Sequence, residues 1–248
     1  MIPLPKQPKG TPTGDNAVRF EIGGCYPGYG ATLGNALRRV LLSSLEGAAV
    51  RTVKIKGVSH EFGPIDGVME DVVRILLNVK QLRFRVHGDE EVTVMLKKKG
   101  EGPVTAGDIK TTASVEVVDP SQPIATISDK KTELEMEFVL GKGIGYVPVE
   151  AREREEREIG VIAVDSIYTP VRRVNYEVEN MRVGKRTDYD RVSLEVVTDG
   201  SITPEEAFGR AVDILVAQFS ALQGEDAEEA KNAESEEKPK KKTTKKKD

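Results

Sequence analysis

Residues 28–45 read GYGATLGNALRRVLLSSL, a glycine-rich turn that runs into an apolar, helix-forming stretch. The turn follows VRFEI (18–22), which places Val18, Phe20 and Ile22 on one face and Arg19 and Glu21 on the other, as a half-buried strand does. Strand, glycine turn and helix together give the outline of a phosphate cradle. The details depart from one. The spacing from Gly28 is G-x-G-x-x-x-G rather than G-x-G-x-x-G, and no acid stands about 20 residues further on to take a ribose. Gly34 is followed by Asn35 and Ala36, where a P-loop needs Lys and then Ser or Thr. Two uses therefore compete for Gly28–Gly34: a nucleotide site, or the entry to a helix that grips protein.

The helix, expected to follow Thr32, favours the second use. At about 100° per residue, Leu33, Ala36, Leu37, Val40, Leu41 and Ser44 share one stripe with Leu45 at its edge, which suits either the core or a partner helix. Asn35, Arg38, Arg39 and Leu42 fall on the opposite side. A leucine between two arginines on a polar face fits an interface anchor, because Arg is enriched at interfaces and apolar anchors there are ringed by polar groups. A single outward leucine is also common by chance.

Outward from this helix the chain alternates strand and helix signals. VRTVKIKGV (50–58) and LEMEFVL (134–140) each set apolar residues against charged ones, and further strands are expected at 82–86, 92–96, 161–165, 172–178 and 191–198. Strands with one wet face belong to antiparallel sheets. A second helix is expected from about Val68 to Val79. A third begins at Thr203-Pro-Glu-Glu206, where a capping threonine, a proline in the first turn and a glutamate three residues after the cap coincide. In that third helix Phe208, Ala211, Val212, Leu215, Phe219 and Leu222 recur at three- and four-residue steps, widened by Ile214 and Val216. Two such apolar helices could pair with each other and then with a second copy across a two-fold axis, or pack only within one chain. The fold class is α+β.

Composition bounds the chemistry. The chain has 248 residues, 31% charged and 38% hydrophobic, with no Trp, a profile of a globular protein with little aromatic surface for stacking bases. No stretch approaches the roughly 18 apolar residues of a membrane span, and MIPLPKQPKGTPTG (1–14) lacks the apolar run of a signal peptide, so the cytoplasm is the expected compartment. One cysteine, Cys25, beside only His60 and His87 allows neither a disulfide framework nor a zinc cluster, and no metal or cofactor is expected. Metal-assisted phosphoryl transfer needs carboxylates gathered around magnesium. The densest acidic stretch, EAREREEREIG (150–160), interleaves Glu with Arg and reads as a solvated loop, so no catalytic residue is expected on this chain.

The ends differ from the body. Residues 1–14 hold four prolines and read as a flexible arm. Residues 225–248 hold eight acids and eight lysines, so the body carries the whole net charge of −4, and this tail is expected to be disordered. Its seven lysines within 238–247 could hold nucleic acid by nonspecific attraction, or serve as a solvated tail alone.

At TLGNALRRVLLSSLEGAAV (32–50) the chain strongly resembles the alpha subunits of bacterial DNA-directed RNA polymerase, in their N-terminal assembly domain. HEFGPIDGVMEDVVRILLNVKQL (60–82), GPVTAGDI (102–109), GYVPV (145–149) and the long run from Val164 to Ala207 fit the same family in order, so the likeness covers about 16–222. The resemblance implies a discontinuous mixed α/β dimerisation domain (15–47 plus 170–224) with a β-rich domain (48–169) inserted. It implies a homodimer that nucleates a core enzyme of beta, beta-prime and omega subunits for DNA-templated transcription. Arg38, Arg39 and Leu42 would then face beta. Lys80, Val164, Asp165 and Arg182 would face beta-prime. Leu33, Leu37, Val40, Leu41, Phe208, Val212, Leu215 and Phe219 would line the dimer contact. Such a subunit contributes assembly rather than catalysis to a nucleotidyltransferase and associates with the nucleoid as part of it. Family members usually continue, past a linker, into a helical domain that binds promoter DNA; the present sequence has the lysine-rich tail at that place, and DNA contact is expected only indirectly or through that tail.

Overall fold

The structure is a computed structural model and describes residues 2–152 and 158–222. In chain order its elements are β1 (Lys9–Gly14), β2 (Ala17–Cys25), α1 (Tyr29–Ser43), β3 (Glu46–Ile55), α2 (Val72–Val79), β4 (Phe84–Val86), β5 (Val92–Lys99) and β6 (Gly102–Thr105). They continue with β7 (Ile109–Lys110), β8 (Val115–Val117), β9 (Pro123–Ile127), β10 (Glu133–Ile144), β11 (Tyr146–Val147), β12 (Val161–Ala163) and β13 (Ser166–Ile167). Two long strands, β14 (Val171–Val183) and β15 (Arg186–Thr198), lead to α3 (Pro204–Ala221). The fold is α+β.

One sheet is built from the two ends of the chain. Its order is β1-β2-β15-β14, every pairing antiparallel. Alternation does what the sequence implied: Val18, Phe20 and Ile22 on β2 join Val192, Leu194 and Val196 on β15 beneath Leu37, Leu41 and Leu45, with Ala207 and Ala211 from α3. Phe20 stacks on Phe208 at 4.5 Å between ring centroids, fastening α3 to the sheet. Thr203 Oγ1 accepts from Glu206 N and Glu206 Oε2 from Thr203 N, the reciprocal cap read from the sequence.

The second sheet takes the middle of the chain, in the order β7-β5-β10-β3-β4-β8 with β12 also paired to β3. Its core gathers Val53, Ile55, Leu96, Met136, Phe138 and Leu140 under Val72, Ile75 and Val79 of α2. The two sets of buried side chains are separate: one spans residues 48–164, the other is drawn from 18–45 and 171–211.

Several expectations need correction. Residues 9–14 are not a mobile arm: they pair with β2 as an edge strand with every side chain exposed. Pro12 is tolerated there because an edge strand has a side that needs no N–H donor. The helix α1 begins at Tyr29, before Thr32, and α2 begins at Val72, because Asp71 caps it by accepting from Arg74 N at 2.7 Å. Val68 instead forms an isolated bridge to Ile127. Residues 149–152 form a short 3-10 turn in which Arg152 is buried rather than solvated, while 153–157 lie outside the described residues, as does the charged tail 225–248.

Candidate docking sites

The glycine turn can be judged from its own hydrogen bonds. Gly28 sits at φ 86°, in the left-handed region, and directs the chain into α1. The first turn of the helix then meets Asp190 of β15, whose Oδ2 accepts from Gly28 N and Gly30 N at 2.9 Å each. The donors that a phosphate would use are thus held by a carboxylate of the same chain, and the Gly28–Gly34 nucleotide reading gives way. The other glycines serve packing. A Cβ on Gly30 would lie 2.7 Å from Asp190 Cβ and 2.8 Å from Val178 Cγ1, and one on Gly34 would lie 2.5 Å from Tyr176 Cδ2.

This close seating decides which face of α1 turns outward. Leu37 and Leu41 are 5% and 0% exposed, so these two, expected at a dimer contact, belong to the chain's own core. Leu33 and Val40 are half-buried beside them. Arg38, Arg39 and Leu42 are exposed, Leu42 by 37%, and stand together on the free face. The Leu42 carbonyl accepts from Thr169 Oγ1 at 3.1 Å, tying the end of this face to the chain segment that enters β14.

A second cluster forms where α2 ends. Lys80, the C-terminal cap of α2, places Nζ 2.8 Å from Asp165 Oδ2, and Val149 N donates to Asp165 Oδ1 at 2.9 Å. The Lys80 ammonium, chiefly through that hydrogen bond, holds the Asp165 carboxyl below its ordinary value against the opposing effect of burial. Tyr146, 57% exposed, lies beside Asp165 and adds to the lowering of that carboxyl. Two of the expected beta-prime residues, Lys80 and Asp165, are therefore one bonded unit, with Tyr146 a neighbour that the sequence reading left out. The other two stand apart. The Val164 side chain is 3% exposed and packs in the core, so only its main chain serves the site: its carbonyl accepts from the buried Arg152. Arg182 is exposed near the end of β14 in the other sheet, donating to Gly184 O.

The third surface is α3. Phe208, Val212 and Leu215 are partly buried against their own sheet. Beyond Leu215 the stripe runs off that support: Val216, Phe219 and Leu222 are 53%, 62% and 81% exposed.

The chain is 50% identical over 210 residues to the DNA-directed RNA polymerase subunit alpha of Moorella thermoacetica, covering 85% of this chain and 67% of that one. It is 51% identical over 212 residues to the Geobacter metallireducens subunit alpha (85% and 62%) and 52% identical over 202 residues to that of Symbiobacterium thermophilum (81% and 64%). The chain belongs to the RNA polymerase alpha-subunit family. Residues 53–169 match the family described as the RNA polymerase Rpb3/RpoA insert domain, a span that takes in the second sheet except the first part of β3, and the Lys80–Asp165 cluster. The chain spans about two thirds of the length of these alpha subunits. Among the described residues no helix is long and apolar enough to cross a membrane.

Proposed function

We propose that this alpha-subunit homologue is the homodimeric scaffold on which the beta and beta-prime subunits of a DNA-directed RNA polymerase assemble. Residues 15–47 with 170–224 form the dimerisation unit in this reading, and 48–169 the inserted unit. The observation that carries the reading is the division of α1 into a core stripe (Leu37, Leu41) and an outward face holding Arg38, Arg39 and Leu42. A leucine displayed between two guanidinium groups, outside the buried cluster of its own sheet, has the composition of an interface anchor. Beta is assigned to that face. Beta-prime is assigned to the Lys80–Asp165–Tyr146 cluster, and a second copy of the chain to the exposed end of α3. Catalysis is assigned to the larger subunits, and the compartment to the cytoplasm, at the nucleoid with the enzyme.

Co-purification with beta and beta-prime tests the reading. The parent should capture both, and replacing Arg38, Arg39 and Leu42 together should abolish capture of beta while leaving the dimer intact; retention of beta by that variant would overturn the assignment.

A further inference from the structure

The two sheets share no apolar core, and between them a cleft of about 680 Å³ opens, walled on one side by Phe84, Arg85 and Val86 and on the other by Ser201, Ile202 and Arg210. The chain crosses between them twice, at 45–48 and 168–171, and the crossings run side by side, with Gly47 against the Tyr168 carbonyl. Two adjacent backbone crossings leave the angle between the sheets to be set by other contacts.

That part falls to polar groups on the turn between β15 and α3. Arg83 Nε lies 3.0 Å from Asp199 Oδ2, the two side chains only 17% and 2% exposed. Asp199 Oδ1 is fixed in turn by Ser201 N at 2.9 Å and Ser201 Oγ at 2.6 Å. Arg85 adds two donations, Nε to Ser201 O at 2.8 Å and Nη2 to Gly200 O at 3.0 Å. The other end of the Arg83 guanidinium faces its own unit: Nη1 donates to Lys80 O at 2.8 Å and Leu82 O at 2.9 Å. A single buried side chain thus touches both the backbone of Lys80 and the turn that starts α3. A planar, multi-donor cation suits this because one edge donates to main-chain carbonyls while its charge faces the carboxylate at the other. There Nε meets Asp199 as an ion pair without hydrogen-bond alignment.

We propose that Arg83, through Asp199, is a positioning residue that locks the angle between the two sheets and so fixes the Lys80–Asp165 cluster relative to α1 and α3. The functional consequence rests on the scaffold reading above, since it requires beta and beta-prime to meet the two units at once. The lock itself does not.

Amide residual dipolar couplings of the full chain test it. In the parent, couplings from 48–164 and from 18–45 with 171–211 should fit one common alignment tensor. Asp199→Asn keeps the shape of the turn and an acceptor for Ser201 but removes the charge facing Arg83. It should lose the common tensor, with each unit still fitting its own. Arg83→Met combined with Asp199→Asn avoids leaving either charge buried alone, so it carries the test should the single variant fold poorly, with the same result expected. A common tensor in both variants, or two tensors in the parent, would overturn the lock. Capture of beta-prime supplies the second readout. The lock predicts weaker capture by Asp199→Asn although the Asp165 carboxyl resonance is unchanged, and unchanged capture would sink the functional consequence. Failure of the docking assignment is seen separately, as Lys80→Ala capturing beta-prime normally while the couplings still report the lock.

Discussion

Asp190 Oδ2 accepts a hydrogen bond from Gly30 N at 2.9 Å and another from Gly28 N, so a carboxylate from β15 caps a helix by bonding to a residue 160 positions earlier. The negative charge sits where the helix dipole and its unpaired N–H groups favour it. Replacing Asp190, itself 8% exposed, with Ala would leave the buried Gly30 N–H without a partner, which should cost about 1–3 kcal/mol of stability in denaturant unfolding. Asp190→Asn, which keeps an acceptor, should cost less. If Asp190→Ala unfolds at the parent's midpoint, the cap is not what holds the start of α1.

Gly34→Ala tests the packing that turns α1 outward. The added methyl would meet the Tyr176 ring at 2.5 Å, and a ring held against a sheet can yield only by shifting the helix. Overpacking of this kind costs about 1–3 kcal/mol. The same substitution at Gly28, which has nothing within 4 Å but adopts φ 86°, should destabilise through backbone strain alone. Thermal unfolding of the two variants, with α1 amide shifts recorded for each, separates the mechanisms: only Gly34→Ala should displace the resonances of Val174 and Tyr176.

How much of this was legible beforehand follows from the range of the forces. Alternation is local, so Val18, Phe20, Ile22, Leu134, Met136 and Phe138 announced their strands, and the Thr203–Glu206 cap announced α3. The early start of α1 was not legible, because glycines inside a helix look like a loop until Tyr176 and Val178 are seen pressing on them from the far end of the chain. One signal was available and missed: Asp190 is in phase with Val192, Leu194 and Val196, so it had to be a carboxylate on a buried face and needed donors nearby. No such hint exists for Arg83 and Asp199, whose neighbours in sequence give either residue a solvated reading. The helical stripe of α1 was read as core or partner, and only the sheet beneath Leu37 and Leu41 decides for core.

Arg39→Ala should lower affinity for beta by about 2 kcal/mol, roughly thirty-fold, if Arg39 is a central anchor. Leu42→Asp should be at least as harmful, since it sets an unpaired carboxylate where the exposed part of the leucine would meet the partner. Because both residues are exposed in the free chain, neither change should alter its unfolding midpoint. Binding titrations against beta that return the parent's affinity for both variants would place beta elsewhere.

Titration of Asp165 checks the Lys80 cluster. Its carboxyl is held below the ordinary value chiefly by Lys80, so the pair's contribution is present at pH values above the ordinary carboxylate range and is lost as the pH falls through the depressed folded value. Carbon-detected titration of the side chain should show the low value in the parent and an upward move in Lys80→Met, where the donor is gone but burial persists. Acid unfolding of that variant should begin from a lower starting stability and depend less on pH over the same window. An Asp165 titration unchanged by Lys80→Met would mean that Val149 N and Tyr146, not the ion pair, hold the carboxylate.

The exposed end of α3 bears on oligomeric state. Val216, Phe219 and Leu222 continue the stripe of Phe208, Val212 and Leu215 past the edge of their own sheet, and three large apolar groups on one helical end are costly to leave in water. In a two-fold contact each substitution enters twice. Phe219→Asp should therefore remove the burial of two rings, about 3–6 kcal/mol in total on the scale of about 1.5–3 kcal/mol each, and shift a micromolar solution from dimer towards monomer. Sedimentation equilibrium reads this directly, with Phe208→Ala as the contrast. Phe208 stacks on Phe20 inside the chain at 4.5 Å, so its loss should lower the unfolding midpoint before it changes the association constant. A dimer that survives Phe219→Asp at the parent's affinity would move the two-fold contact off the end of α3.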